Sequence, residues 1–240
     1  MPRPRKFDER RVLQLARDQF WATGYAGTRM DEIGEVTGLG KGSLYGAFGD
    51  KSALFHRVFD EWCTAIVELA EQRLTGPDEG AFARLSAYVQ LIVANTAADT
   101  DRRGCLMAKG TAELAQHDPA VARRSAETMN ALLVLLRTQI VAGQRNGDID
   151  DGADPEQLAA LLLVVLRGIE AVGKAGLDTE TLRGIADAAL AVLPRPAGQG
   201  RPAKLNPGPA ETPSPLVAAV SIPASPARPS GGKGAPIRGT

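Results

Sequence analysis

The chain has 240 residues, of which 44% are hydrophobic, and it carries 28 basic and 28 acidic side chains. A chain of this length holds one or two domains with sizeable cores. Residues 195–240 contain six basic groups and one acidic group, which leaves 22 basic and 27 acidic groups in the rest of the chain. This acidic remainder excludes a protein that binds nucleic acid over its whole surface, so any contact with DNA must be a local patch.

Cysteine content and hydropathy exclude two further classes of protein. The two cysteines, Cys63 and Cys105, make no disulfide framework, and no secretory segment opens the chain. The most apolar stretch, 158–166, is soon interrupted by Arg167 and Glu170, so no run reaches the length of a membrane span. We therefore expect a soluble, cytoplasmic protein that does not contact a membrane.

The chain opens with a short basic arm over residues 1–7, followed by the first predicted helix. The basic groups of the arm lie among prolines and are Arg3, Arg5 and Lys6. Asp8 and Glu9 suit the positive N-terminal end of a helix. Apolar residues then recur at helical spacing, and Gly24 predicts where this helix stops.

Residues 31–48 predict two short helices joined by a glycine-rich turn. Thr28, with Asp31 three residues later, is a capping-box variant that predicts the start of the first of these helices. The apolar residues expected on the inside are Ile33, Val36, Leu44, Ala47 and Phe48. Small, polar and basic residues remain outside, and these are Lys41, Ser43 and Tyr45. A helix with such an exposed side fits the major groove of DNA.

Six more helices are predicted after this unit, and no segment indicates a strand. Asp50, Asp118 and Asp154 are expected to cap three of them, the last two with proline at the first helical position. The six helices are expected at about 51–73, 79–97, 104–115, 119–145, 155–174 and 178–193. The helix at 155–174 is apolar nearly all round, which predicts burial on both sides. The fold class is therefore all-α with about nine helices.

The composition changes after Leu193. Ten of the 16 prolines lie in residues 195–240, and this segment has no aromatic residue. Such a segment cannot bury enough apolar surface to offset the entropy of ordering, so we expect a disordered, basic tail.

Twelve positions between residues 8 and 58 occur in an order that is specific to one protein family. They are Phe20, Gly24, Tyr25, Thr28, Ile33, Gly38, Gly42, Leu44, Tyr45, Phe48, Lys51 and Leu54. At this spacing the chain resembles the TetR family of bacterial transcriptional regulators. The resemblance implies a helix-turn-helix DNA-binding domain over residues 1–50 and a helical ligand-binding and dimerisation domain over residues 51–194.

The resemblance also implies a function and partners. It implies a homodimer formed through the helices at 155–174 and 178–193, which binds a pseudo-palindromic operator in double-stranded DNA. It further implies a repressor that a small molecule releases from DNA, with no cofactor and no enzymatic activity. The DNA-binding positions that it implies are Thr28, Lys41, Gly42, Ser43, Leu44, Tyr45 and Lys51.

The roles implied for these positions differ. Lys51 is expected to meet a phosphate, and Thr28 to cap the second helix beside a phosphate. Lys41 and Ser43 could reach base edges, while phosphate contacts supply affinity and register. The chain departs from the family pattern at Gly34, Thr37, Gly40 and Ala47. Ala47 replaces the usual histidine, so that position is not counted as DNA-binding.

The sequence gives weaker evidence about the effector site than about the DNA-binding residues. Cys105 begins a short helix directly after Arg102, Arg103 and Gly104, a setting that predicts a lowered thiol pKa and a reactive thiolate. The alternative is an inert cysteine packed as a small hydrophobe, which is also our expectation for Cys63. Three further candidates for a hydrophobic pocket are Trp62, Tyr88 and Met129, although aromatic residues and methionine at helical spacing more often belong to the plain core.

Three functions thus remain open from the sequence. The first is a repressor controlled by a small molecule. The second keeps the same DNA-binding scaffold but senses electrophiles or oxidants through Cys105. The third is an all-α ligand-binding or scaffold protein that has lost DNA binding.

His56 and His117 have no companions at metal spacing, so no metal site is expected, and no catalytic constellation appears.

Overall fold

The computed structural model describes residues 7–196. These residues form nine helices and no strand. The helices are α1 Glu9–Gly27, α2 Met30–Thr37, α3 Lys41–Phe48, α4 Lys51–Leu74, α5 Ala81–Ala98, α6 Leu106–Leu114, α7 Pro119–Arg145, α8 Pro155–Ala175 and α9 Thr179–Val192. The all-α prediction is confirmed. The predictions for the basic groups of the arm and for residues 197–240 lie outside the described residues.

Local sequence signals place most helix ends correctly. The side chain of Asp118 accepts hydrogen bonds from the backbone N–H groups of Ala120 and Val121 at 3.0 and 3.2 Å, and Asp50 and Asp154 cap α4 and α8 in the same way. Gly24 interrupts the regular helix with φ 78° and ψ 176°, a conformation that favours glycine. The last turn of α1 therefore follows a kink at the position where the sequence predicts a stop.

The predicted capping role of Thr28 is wrong. The residue that caps α2 is Arg29, whose backbone N–H donates to the carboxylate of Glu32 at 2.9 Å. Thr28 is buried, and its hydroxyl donates to the carbonyl of Gly24 at 2.6 Å. The hydroxyl satisfies the carbonyl that the kink exposes, and it is therefore not available to α2.

The second helix buries a different stripe from the one expected. Ile33 is fully buried as predicted, whereas Val36 is 45% exposed. The buried side of α2 runs through Met30 and Ile33, and continues to the half-buried Thr37. By spacing alone, Val36 and Thr37 could each extend this stripe from Ile33, and in the structure Thr37 lies on the buried side while Val36 faces outwards.

The core is continuous from the N-terminal helices into the C-terminal bundle. The long helix α4 joins the two parts, because it packs against α1 on one side and against α5, α6 and α7 on the other. Phe55 of α4 lies at the centre of an aromatic cluster, with its ring centroid 5.1 Å from that of Phe20 and 5.5 Å from that of Phe59. Movement of α4 or α6 therefore bears directly on α1.

Within one chain, helix α8 is buried on one side only, and its predicted burial on both sides stays a prediction. It packs against α5, α7 and α9 through buried residues such as Leu162 and Leu166. Its opposite side leaves Leu161 41% exposed and Val164 68% exposed, because no described helix of the same chain covers it. None of the described helices is long and apolar enough to cross a membrane.

Packing continues slightly beyond the predicted start of the tail at residue 195. The backbone N–H of Asp150 donates to the carbonyl of Pro194 at 2.9 Å. The guanidinium carbon of Arg195 lies 4.2 Å from the centroid of the Phe82 ring. Arg195 is thus part of the packed body and not of a disordered segment.

Candidate nucleic-acid interface and internal cavity

Helix α3 presents a flat, polar surface on its outer side. Four of the predicted positions, Lys41, Gly42, Ser43 and Tyr45, are exposed on it, and Gly46 is exposed as well. A Cβ atom added at Gly42 or Gly46 would meet no atom of the protein within 4 Å. The backbone of α3 is therefore open to close approach along one face, as insertion into a DNA groove requires. Gly46 is not among the predicted residues, although its spacing of four from Gly42 marks the shared face.

Two basic side chains flank this surface. The side chain of Lys41 is 72% exposed, and its Nζ lies 5.9 Å from the Tyr45 ring centroid and 4.0 Å from Oδ1 of Asp31. Arg29 is also exposed, with 3.8 Å between its Nη2 and Oδ2 of Asp31. Exposed ion pairs of this kind stabilise a protein by roughly 1 kcal/mol or less, so both cations can exchange Asp31 for a phosphate. Sequence reasoning missed Arg29, a basic residue directly before a helix.

Lys51 has an internal role that the sequence did not reveal. Its Nζ donates to the carbonyls of Tyr25 and Thr28 at 3.0 and 3.1 Å, and it lies 4.3 Å from the Tyr25 ring centroid. The ammonium thereby holds the start of α4 against the end of α1. An ammonium has three N–H donors, so one is left for the phosphate that the sequence predicts.

Two of the predicted DNA-binding positions require correction. Thr28 and Leu44 are each 1% exposed. The hydroxyl of Thr28 also lies 2.7 Å from that of Thr23, while Leu44 belongs to the hydrophobic core. Leu44 shares the inner side of α3 with Phe48, four residues later, and so faces away from Gly42. Neither side chain is available to DNA in this structure.

A cavity of about 100 Å³ lies in the C-terminal bundle near the end of α1. It lies between α1, α4, α5, α8 and the segment before α6, and both tryptophans, Trp21 and Trp62, line it with ring centroids 5.0 Å apart. Of the four predicted pocket residues, Trp62 and Cys105 line this cavity. Tyr88 is buried in the hydrophobic core, and the partly buried Met129 packs against that core. Neither residue lines the cavity.

The predicted activation of Cys105 is wrong in direction. Burial raises the pKa of the Cys105 thiol to about 11, the negative charge of Glu170 also raises it, and the positive charge of Arg167 opposes both. Arg103, which is expected from the sequence to lower the pKa, points elsewhere: its Nε donates to Asp99 at 3.0 Å and its guanidinium carbon lies 3.7 Å from the Trp21 ring centroid. At neutral pH Cys105 is a protonated thiol.

The remaining candidates have structural surroundings. Cys63 is fully buried, as expected, and burial raises the pKa of its thiol. Nε2 of His56 lies 2.5 Å from Oδ2 of Asp118, which joins α4 to the start of α7. The described part of the chain contains no group of three or more His, Cys, Asp or Glu side chains placed to hold a metal ion.

Helix α6 is attached to the end of α1 by a series of polar contacts that the sequence did not predict. The indole N–H of Trp21 donates to the carbonyl of Gly104 at 2.5 Å. The ammonium of Lys109 donates to the carbonyl of Trp21 at 2.5 Å, and the carboxylate of Glu113 accepts from the N–H of Ala26 at 2.8 Å. Trp21 and Gly104 also line the cavity, so the cavity wall and the end of α1 share atoms.

Two family models match the chain. The model described as bacterial regulatory proteins, tetR family, matches residues 12–58, and that described as tetracyclin repressor-like, C-terminal domain, matches residues 81–189. The chain belongs to the TetR family. It is a transcriptional regulator, and such proteins form a regulatory and not an enzymatic class. The predicted family is thereby confirmed.

Relatives of this TetR-family protein span most of its length. The HTH-type transcriptional repressor ComR of Escherichia coli is 25% identical over 192 residues, which are 80% of this chain and 91% of ComR. The HTH-type transcriptional repressor DhaR of Mycobacterium sp. is 24% identical over 157 residues, 65% of this chain and 77% of DhaR. A cysteine mutant of the TetR family regulator CifR, solved with 26bp double-strand operator DNA, has a TM-score of 0.70 and 27% identity, with coverage of 80% of this chain and all of CifR.

Proposed function

We propose that this TetR-family regulator is a cytoplasmic, homodimeric repressor that binds a pseudo-palindromic operator and is released by a small molecule. The observation that carries the proposal is the outer side of α3, where Gly42, Ser43 and Gly46 leave the helix open to a groove between Lys41 and Tyr45. The similarity to CifR, whose mutant was solved with operator DNA, supports the same use of this helix.

The proposed contacts with DNA are of two kinds, those to base edges and those to phosphates. Lys41 and Ser43, at the start of α3, are assigned to base edges, which supply sequence discrimination. The hydroxyl of Tyr45, the third N–H of Lys51 and the guanidinium of Arg29 are assigned to phosphates, which supply affinity. An intact set of exposed polar groups around α3 argues against a scaffold protein that has lost DNA binding.

Dimerisation is assigned to α8 and α9. Their outer sides expose large apolar residues, with Val164 68% exposed on α8 and Val192 56% exposed on α9. Exposed apolar surface of this kind marks a protein interface, and two-fold pairing of such surfaces would place two copies of α3 on two operator half-sites. This assignment makes residues 1–50 the DNA-binding domain and residues 51–194 the ligand-binding and dimerisation domain.

The response to an effector is assigned to the cavity and to the attachment of α6. A ligand that moves Trp21 or Gly104 changes contacts at the end of α1, and α1 packs directly against α2. Such a ligand alters DNA affinity only if it binds the DNA-competent and released conformations unequally. The protonated state of Cys105 argues against the thiol-sensing alternative.

Selection of bound fragments from a random DNA library tests the proposal. The full chain is expected to enrich a palindromic sequence, and sedimentation of the complex is expected to show two subunits on each site. A double variant, Lys41→Ala with Tyr45→Ala, serves as the control and is expected to enrich nothing. Enrichment of no common sequence by the unchanged protein, or of a sequence without two-fold symmetry, would contradict the proposal.

A further inference from the structure

Each of the two carboxylates that line the cavity already forms an ion pair with an arginine. Oδ1 of Asp99 accepts from Nε of Arg103 at 3.0 Å, and Oδ2 accepts from the backbone N–H of Gly104 at 2.8 Å. The carboxylate of Glu170 forms an ion pair with Arg167, with 2.8 Å between Oε2 and Nη1. The negative charges of the wall are therefore neutralised by the protein itself.

Several donors that line the same cavity are not paired. Trp62 is 7% exposed, and its buried Nε1–H has no hydrogen-bond partner among the described residues. Lys174 and Arg102 also line the cavity, and neither side chain forms an ion pair within residues 7–196. Burial lowers the pKa of the nearby Lys109 ammonium, and the positive charge of Lys174 lowers it further. The buried N–H of Trp62 costs free energy that an acceptor on a ligand would recover, whereas Lys174 and Arg102 are exposed and contribute positive charge at the edge of the cavity.

The rest of the wall is apolar and the space is small. Trp21, Trp62, Ile66 and Ile92 supply indole and aliphatic surface, and the volume is about 100 Å³. A dry apolar cavity of about 150 Å³ in another protein holds one benzene molecule. The space beside the two indoles is smaller than that, so its ligand can place no more than one aromatic ring or a short hydrocarbon chain there.

We propose that the effector is a compact organic acid, with a single ring or short chain against Trp21 and Trp62 and a carboxylate held by Lys174 and Arg102. The indole N–H of Trp62 donates to an oxygen atom of the same ligand. This inference rests on the proposed function, because it takes the cavity to be the effector site. It selects an anion over a neutral or cationic ligand because the charged groups of the wall that form no ion pair in the described part of the chain, Lys174 and Arg102, are both cations.

Tryptophan fluorescence tests the inference directly. The chain has two tryptophans and both line the cavity, so quenching reports occupancy of this site. The full chain is titrated with benzoate, benzamide and benzylamine, which share one ring and differ in charge. Benzoate is expected to quench the fluorescence saturably and to bind about tenfold more tightly than benzamide, since a charge-assisted hydrogen bond is about twice as strong as a neutral one. Benzylamine is expected to bind most weakly.

A variant pair separates the charge from the shape of the cavity. Lys174→Met is expected to weaken benzoate binding about tenfold and to leave benzamide binding unchanged, because it removes one cation from the rim. Arg123→Met removes a cation whose side chain is 71% exposed on α7, away from the cavity, and is expected to change neither affinity. Lys174 is exposed, so its replacement leaves the core intact, and far-ultraviolet circular dichroism checks the fold of both variants.

Three results would overturn the inference: equal or tighter binding of benzamide or benzylamine, an unchanged benzoate affinity in Lys174→Met, or no saturable quenching by any of the three compounds. These titrations contain no DNA. A failure here would thus leave operator binding untouched, while a failed DNA selection would contradict the proposed function whatever the cavity binds.

Discussion

The carboxylate of Glu113 accepts a hydrogen bond from the backbone N–H of Ala26, with 2.8 Å between Oε2 and N. The two residues lie 87 positions apart in the chain, and their contact fastens α6 to the last turn of α1. The same carboxylate lies against Gly24, the position where α1 kinks. Glu113 therefore connects the C-terminal bundle to the point from which α2 and α3 are oriented.

Loss of this acceptor should destabilise the protein. Glu113→Ala leaves the N–H of Ala26 without a protein partner and is expected to lower the free energy of unfolding by about 1 kcal/mol. Glu113→Gln keeps an acceptor oxygen and is expected to retain most of that stability. Urea denaturation followed by circular dichroism measures both, with Gln116→Ala, an exposed change after α6, as the control. Equal decreases in the alanine and glutamine variants would show that the hydrogen bond contributes nothing.

Lys51→Ala should weaken binding to every DNA sequence by a similar factor. The change removes the ammonium that holds α4 to the carbonyls of Tyr25 and Thr28, together with one positive charge that we assign to a phosphate. The slope of log affinity against log salt concentration is expected to fall by about 0.9 for each phosphate that the protein no longer neutralises. Fluorescence anisotropy with selected and unrelated duplexes over a range of salt measures this slope. An unchanged slope would restrict Lys51 to its internal role.

Substitution of Gly42 should separate stability from DNA binding. Gly42→Ala meets no atom within 4 Å and is expected to stabilise α3 by about 0.5–1 kcal/mol, because alanine is the better helix former. Gly42→Gln is also accommodated by the protein, but its side chain is expected to hold α3 away from the groove and to weaken operator binding about tenfold, or about 1.4 kcal/mol. Thermal unfolding and anisotropy are measured for both variants. Unimpaired operator binding by Gly42→Gln would remove this face of α3 from the interface.

Both cysteines should react slowly at neutral pH. The pKa of Cys105 is raised from 9.0 to about 11, so its thiolate fraction at pH 7 is about one in ten thousand. Because only the thiolate is nucleophilic, alkylation by iodoacetamide is expected to run about a hundredfold slower than for an ordinary thiol and to accelerate as the pH rises towards 11. Mass spectrometry of the folded protein and of the protein in urea measures the difference. Rapid alkylation of folded Cys105 at pH 7 would restore the thiol-sensing alternative.

Truncation after Pro196 should leave the stability of the protein unchanged, whereas truncation after Leu193 should lower it. A chain that ends at Pro196 is expected to dimerise and bind DNA as the full chain does. A chain that ends at Leu193 lacks the packing of Arg195 on Phe82 and the bond from Asp150 to Pro194, together about 1–2 kcal/mol. Its thermal midpoint is expected to fall by several degrees, measured by calorimetry. A monomeric Pro196 truncation in sedimentation would instead assign a role in assembly to residues 197–240.

Helices α2 and α3 show which exposed and buried positions the sequence pattern can predict. Lys41, Ser43 and Tyr45 lie outside as the sequence predicts, because the spacing of Leu44 and Phe48 defines the inner side of a short helix. The prediction for Val36 is wrong because α2 has only two turns, and a neighbouring position extends its buried stripe equally well by spacing. Which of two neighbouring residues faces inwards depends on how α2 lies against α1, and that is a tertiary contact.

Cys105 shows where sequence reasoning fails on chemistry. Its neighbours in the chain, Arg102 and Arg103, predict a lowered thiol pKa, but the charged groups that act on the thiol are Glu170 and Arg167 of α8, and burial acts more strongly than either. Electrostatic interactions depend on distance in space and on exclusion of water, and neither can be read from adjacent positions. The attachment of α6 to α1 was missed for the same reason.

The sequence by itself determined the helical class, the family and most helix ends. Caps such as Asp50, Asp118 and Asp154 act within four residues, so the information that they need is local. The tertiary structure alone decided which residues share the cavity. It placed Trp62 of α4 and Lys174 of α8 at the same space and left the N–H of Trp62 without a partner among the described residues, because packing brings together residues that the chain keeps far apart.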